Sequence, residues 1–145
     1  MKRPALLDVN VLIALIDPNH VHHEAAHAWF RSHRSAGWAT CPLTENGVIR
    51  ILSNPAYSPV AELPAKVVER LQAARKSGNH RFWPDDISLC DPRLFSLAVG
   101  WRQLTDVYLL ALARHNQGHL ATFDRSIPLK AVRGAGPEHL TVIDA

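Results

Sequence analysis

Cysteine is scarce in this chain. Its 145 residues hold only Cys41 and Cys90, far apart and with no C-x-x-C pair. No disulfide framework follows from them, and they read as two reduced thiols. Long apolar runs are also missing, and no segment is long enough to span a bilayer. Met1-Lys2-Arg3 followed by apolar residues from Leu6 to Ile16 faintly resembles a signal peptide. Asp8 and Asn10 interrupt that stretch, and Asp17-Pro18-Asn19-His20 ends it without a small-residue cleavage site. It reads as a buried strand and helix of a cytoplasmic protein with no membrane attachment. Repeats, linkers and low-complexity segments are absent too. Neither charge sign dominates: 16 Lys and Arg against 13 Asp and Glu leave a net +3, a mild bias toward polyanions. What is present is a 47% hydrophobic, 20% charged chain, enough for a single domain over residues 1–145.

Apolar periodicity alternates between strand and helix. Residues 4–8 read as a strand, 10–16 as a short buried helix and 22–34 as a second helix with Ala25, Ala26, Trp29 and Phe30 on one face. Trp38 to Cys41 read as a strand closed by Pro42. A helix capped by Thr44 then carries Val48, Ile49 and Leu52. Pro64 opens a helix faced by Val67, Val68, Leu71 and Ala74, and Arg81-Phe82-Trp83 form a third strand. Residues 91–103 read as a turn with a short helix. Thr105 caps a helix over 105–116, and strands follow at 119–123 and 140–143. Strands alternating with helices predict an α/β fold with a mostly parallel sheet covered on both faces.

Four acids stand where such a fold concentrates ligands, outside the carboxyl ends of the strands. Asp8 ends Ala5-Leu6-Leu7, and Asp124 ends Leu120-Ala121-Thr122-Phe123. Glu45 and Asp106 each open an apolar helical run. Any one of them alone is most often a surface residue or a helix-dipole partner. Asp8 is the exception, because an acid between apolar segments needs water, a partner or a metal. Four carboxylates held close repel one another, and a hard divalent cation such as Mg²⁺ or Mn²⁺ relieves the repulsion. Asn10 and Thr122 lie within two residues of acids and suit an orienting role. Thr44 and Thr105 suit capping alone.

These blocks carry a resemblance. Asp8-Val9-Asn10, Thr44-Glu45, Leu104-Thr105-Asp106 and Thr122-Phe123-Asp124 resemble the acidic motifs of PIN-domain ribonucleases. Over nearly the whole chain the match is most similar to VapC-type toxins of bacterial toxin–antitoxin pairs, especially the mycobacterial group. Leu43-Thr44-Glu45-Asn46-Gly47-Val48-Ile49-Arg50 and Leu109-Leu110-Ala111-Leu112-Ala113 resemble that group's stretches. The resemblance implies a three-layer PIN-like fold and a Mg²⁺- or Mn²⁺-dependent endoribonuclease that inhibits translation by cleaving transfer or ribosomal RNA. Asp8, Glu45 and Asp106 match the main metal ligands and catalytic acids. Asp124 matches a fourth, more distant acid, and Thr122 the polar residue two before it. Cleavage would leave 5′-phosphate and 3′-hydroxyl ends. A homodimer and a small VapB-type antitoxin are implied as partners.

Basic residues are spread widely. Lys66, Arg70, Arg75, Lys76 and Arg81 form one run, and most read as ordinary surface charge. Arg50 and Arg125 are the candidate RNA contacts, being next to or a turn beyond a motif acid. Trp38, Trp83 and Trp101 read as core before they read as base-stacking platforms.

A rival pattern is His23-Glu24-Ala25-Ala26-His27, a literal H-E-x-x-H. On a helix it places two histidines on one face for Zn²⁺ with Glu24 as general base, the signature of a metallopeptidase. No G-x-x-H follows it, and the surrounding His20, His22 and His33 suggest a histidine-rich polar face instead. A catalytically inactive RNA-binding module is the third reading, against which the four intact acids argue.

Overall fold

The structure, a computed structural model, describes residues 3–145. Five strands form one sheet in the order β3-β2-β1-β4-β5, and every neighbouring pair is parallel. They are β1 (Ala5–Leu7), β2 (Trp38–Thr40), β3 (His80–Phe82), β4 (His119–Thr122) and β5 (Leu140–Val142). The helices are α1 (Val9–Ile16), α2 (His23–His33), α3 (Pro42–Leu52), α4 (Pro64–Arg75) and α5 (Leu104–His115). The α/β expectation is met, with three layers.

Period-two alternation along the strands divides the core between the two faces of the sheet. Leu6, Ala39 and Leu120 point into one cluster, filled by Val107, Leu109, Leu110 and Leu112 of α5. Ala5, Leu7, Trp38 and Ala121 point into the other, where α1, α3 and α4 contribute Leu12, Val48, Val67 and Leu71. Both faces of the central strands are therefore covered, which is why β1 is the uninterrupted apolar triplet Ala5-Leu6-Leu7. Helix α5 is buried from Val107 through Ala113, almost all round.

Most boundaries shift by a residue from those read in the sequence, and three of the differences bear on the site. Helix α3 starts at Pro42 with Cys41 in the capping position, so Thr44 lies inside the first turn. Its hydroxyl accepts the Cys41 N–H at 3.0 Å and donates to the Cys41 carbonyl at 3.1 Å, securing the turn from within. Helix α5 starts at Leu104, which places Thr105 in its first turn, exposed, rather than at its cap. Strand β3 begins one residue early, at His80. Trp83 leaves the strand and turns its side chain into the core, while its backbone N–H donates to the Thr40 carbonyl at 2.9 Å. Trp38 and Trp83 are buried as expected. Trp101 is 80% exposed, with the Arg102 guanidinium 5.0 Å from its ring centre.

One close approach sets how α3 meets α1. A Cβ added at Gly47 would lie 2.9 Å from Cγ2 of Val9, the residue after Asp8. Only a bare backbone lets α3 settle this near the start of α1. The Gly47→Ala variant should therefore lose about 1–3 kcal/mol of stability in urea unfolding, the usual range for an overpacked core position. Wild-type stability in that variant would show that the helices yield without cost.

Candidate active site

The chain leaves β1 toward β2 on one side and returns at β4 on the other, so a crevice opens above the ends of the central strands. Asp8 stands at the end of β1 as the residue preceding α1, only 5% exposed. The fully buried Thr122, at the end of β4, donates its hydroxyl to Asp8 Oδ2 at 2.8 Å. The same hydroxyl accepts the backbone N–H of Asp124 at 3.0 Å. One side chain thus ties the first acid to the backbone of the last.

Burial pushes the Asp8 carboxyl above the ordinary carboxylate range. The Thr122 hydrogen bond and the Val9 and Asn10 amides oppose that shift, and the negative charge of Asp124 adds to it. Asp124 goes the other way. Ser126 donates both its hydroxyl, at 2.6 Å, and its N–H, at 2.8 Å, to Asp124 Oδ1. Those two bonds hold Asp124 below the usual range, helped by a hydrogen bond from Asp106. Asp106, in the first turn of α5, is pushed up to about 7 by burial first, then by the charges of Asp8 and Asp124 and by its hydrogen bond to Asp124. These three acids are close enough to set one another's protonation.

Glu45 belongs to the same edge, in the first turn of α3 after β2, but has different partners. The buried Thr40, last residue of β2, donates to Glu45 Oε2 at 2.6 Å, and Arg75 Nη1 lies 3.4 Å from that oxygen. His80 Nε2 sits 2.7 Å from the Thr40 hydroxyl. Burial, aided by the Arg75 charge, lowers His80 to about 4, so its ring is neutral at pH 7.

The remaining predicted residues fall outside this cluster. Asn10 is exposed and reaches Asp8 through its amide. Arg50 is exposed. Arg125 turns to the end of the chain, pairing with Asp144 at 2.6 Å. Beside the acids runs an apolar groove of about 310 Å³ lined by Leu43, Ile87, Leu89 and Thr105, with Asp85 and Tyr108 joined across it at 2.7 Å. Thr40, Arg75, His80 and Asp85 had no role in the sequence reading. Thr40 was open to the strand-end argument that singled out Asp8. His80 carried no signal, since its nearness depends on the β2–β3 register.

The donors at this edge are carboxylates and hydroxyls, hard oxygen ligands of the kind that fit Mg²⁺ or Mn²⁺. The charge shared among Asp8, Asp106 and Asp124 is what a divalent cation would neutralise. Among the described residues, no three His, Cys, Asp or Glu side chains close into a finished metal cage. The donor chemistry fits, without a rigid preformed sphere.

The H-E-x-x-H histidines have a structural task. His23 Nδ1 lies 2.7 Å from the Ala14 carbonyl and His27 Nε2 lies 3.0 Å from the Leu15 carbonyl, in the last turn of α1. They satisfy two of the carbonyls that a helix end leaves without partners. No third ligand joins them among the described residues.

An α/β sheet with acids gathered over its central strands defines a class, and comparison with known proteins agrees. The family described as "PIN domain" matches residues 5–133, and the chain belongs to it. Within that family it is similar to three proteins of Mycobacterium tuberculosis strain H37Rv. It is 44% identical to "Ribonuclease VapC44" over 142 residues, 96% of this chain and 99% of the relative. It is 46% identical to "Ribonuclease VapC39" over 132 residues, covering 90% and 95% of the two chains. It is 47% identical to "Ribonuclease VapC38" over 123 residues, covering 85% and 86%.

Asp106 sets a pH dependence. An unfolded aspartate ionises near 3.8, whereas the folded group keeps its proton to about 7. Between those values folding takes up a proton, so this group's contribution to stability falls as pH rises and reaches its full penalty above 7. Asp106→Asn should remove the penalty. In metal-free buffer the variant should match wild type near pH 4 and exceed it at pH 8 by on the order of 1–2 kcal/mol, allowing for solvent at the half-buried carboxyl. Parallel denaturation curves at the two pH values give the answer, and an equal gap at both would place the effect outside titration.

Proposed function

We propose that this chain is a metal-dependent endoribonuclease that acts as the toxin of a toxin–antitoxin pair. The observation that carries the reading is the placement of Asp8, Asp106 and Asp124 at the ends of the central strands and the start of α5 in a PIN domain, with Thr122 joining Asp8 to the Asp124 amide. The ribonuclease names of its relatives support it.

Asp8, Glu45 and Asp106 would hold Mg²⁺ or Mn²⁺, with Asp124 as the fourth and more distant acid. The cation, when bound, supplies a hydroxide nucleophile near neutral pH and offsets the charge gathering on the phosphate. Thr122 keeps Asp8 oriented while leaving its second oxygen outside that hydrogen bond. Ser126 keeps Asp124 ionised. Asp106, which holds its proton to about 7, would be the ligand that ionises with a cation bound, so that uptake would be coupled to proton release.

The substrate is RNA, transfer or ribosomal, cut to 5′-phosphate and 3′-hydroxyl ends. Arg50 at the exposed side of α3 is a phosphate contact in this reading, and Arg125 becomes one when it leaves Asp144. The working form is a cytoplasmic homodimer silenced by a VapB-type antitoxin. No helix among the described residues is long and apolar enough to cross a membrane.

Purified wild-type, Asp8→Asn, Glu45→Gln and Asp106→Asn proteins incubated with total bacterial RNA test this directly. Discrete fragments should form with wild type in Mg²⁺ or Mn²⁺ and vanish in EDTA, with each variant at least about 100-fold slower. Equal cleavage by all three variants would sink the site assignment. Binding of RNA without cleavage by wild type in either metal would identify a non-catalytic module.

A further inference from the structure

The hydrogen bond and ion pair that the Glu45 carboxylate makes among the described residues both fall on one oxygen. Oε2 accepts from Thr40 Oγ1 at 2.6 Å and faces Arg75 Nη1 at 3.4 Å. Thr40 is fully buried, and its hydroxyl has a single proton. Donating that proton to Glu45 obliges the hydroxyl to accept from its other neighbour, His80 Nε2 at 2.7 Å. The direction of the chain is therefore fixed: His80 N–H to Thr40, Thr40 O–H to Glu45.

The frame behind this chain is the edge strand. His80 and Phe82 are two apart on β3 and share a face. The His80 ring meets Trp38 edge-on, with ring centres 4.6 Å apart. The Arg75 guanidinium lies 5.4 Å from the centre of the Phe82 ring. Trp38 pairs with His80 in the sheet and Thr40 with Phe82. Arg75, which faces Oε2, and His80, which meets the Thr40 hydroxyl, are thus each packed against a ring.

We infer that Thr40 and His80 are positioning residues that fix the Glu45 carboxylate so that Oε2 stays with the protein and Oε1 is presented to the divalent cation. The inference rests on Glu45 being a cation ligand in the function proposed above. Partners that orient a ligand in this way typically matter 10–100-fold in metal affinity or activity. Arg75 supplements the grip and moderates the negative charge of the acid.

Mn²⁺ titration of the full chain by calorimetry tests the inference without requiring RNA. Thr40→Val removes the hydroxyl at nearly constant shape and should weaken Mn²⁺ binding 10–100-fold, while Thr40→Ser restores it. His80→Leu should weaken binding in the same direction, and His80→Gln, which keeps an N–H donor, should recover most of it. With RNA, kcat should fall in Thr40→Val while KM holds, since the substrate does not touch Thr40. Thermal melts identify any variant that is merely unfolded, and the His80 pair decides the matter if the Thr40 pair fails that check. Wild-type Mn²⁺ affinity in folded Thr40→Val or His80→Leu would overturn the inference, as would a wild-type protein that binds no Mn²⁺. Mn²⁺ binding that depends on Thr40 without any RNA cleavage would uphold the positioning role and remove the ribonuclease.

Discussion

The hydrogen bond between Thr122 and Asp8 is the contact on which the acidic edge depends. A carboxylate buried among apolar strand ends is costly unless something polar answers it. Thr122 answers with its one proton and, through its lone pairs, also fastens the Asp124 amide. The two central strands, paired from Ala5 with His119 to Leu7 with Ala121, bring these groups into register. A slip of one residue would carry Thr122 to the opposite face and leave Asp8 unanswered.

From that contact the acids differentiate. Four chemically similar side chains meet four different surroundings. Asp124 has two donors from Ser126 and ionises easily, while Asp106 has burial and two negative neighbours and holds its proton to about 7. Glu45 is handled apart from the others by a threonine, a histidine and an arginine drawn from β2, β3 and α4. The edge therefore spans the crevice with one cluster that shares charge and one acid that is gripped.

The layered α/β fold is legible in the sequence because parallel strands buried on both faces leave short apolar runs, and this chain has several. Asp8 is legible because a carboxylate between Leu7 and Val9 contradicts its surroundings, and Thr122 by its place two residues before Asp124. His80 and Arg75 are not legible in this way. Arg75 looked like any member of a basic run, and His80 like a loop residue after Gly78. Their relevance comes from pairing β3 beside β2, a long-range fact with no local signature. The cap positions of Thr44 and Thr105 were misplaced because Pro42 and Leu104 start their helices earlier than the nearest capping residue suggests. His23 and His27 showed the reverse hazard, a motif with catalytic spacing whose ring nitrogens bond the end of a neighbouring helix.

The span of the central contact has a consequence for synthesis. Asp8 emerges from the ribosome well before its partner, which lies 114 residues later. Strand β1 has no β4 to pair with until the residues between them and β4 itself have left the exit tunnel. A nascent or truncated chain thus carries Asp8, Glu45 and Asp106 without the strand that gathers them. Whatever the acidic edge does to its substrate, it does only once β4 is in place, and a ribosome stalled before Thr122 holds a fragment without an assembled site.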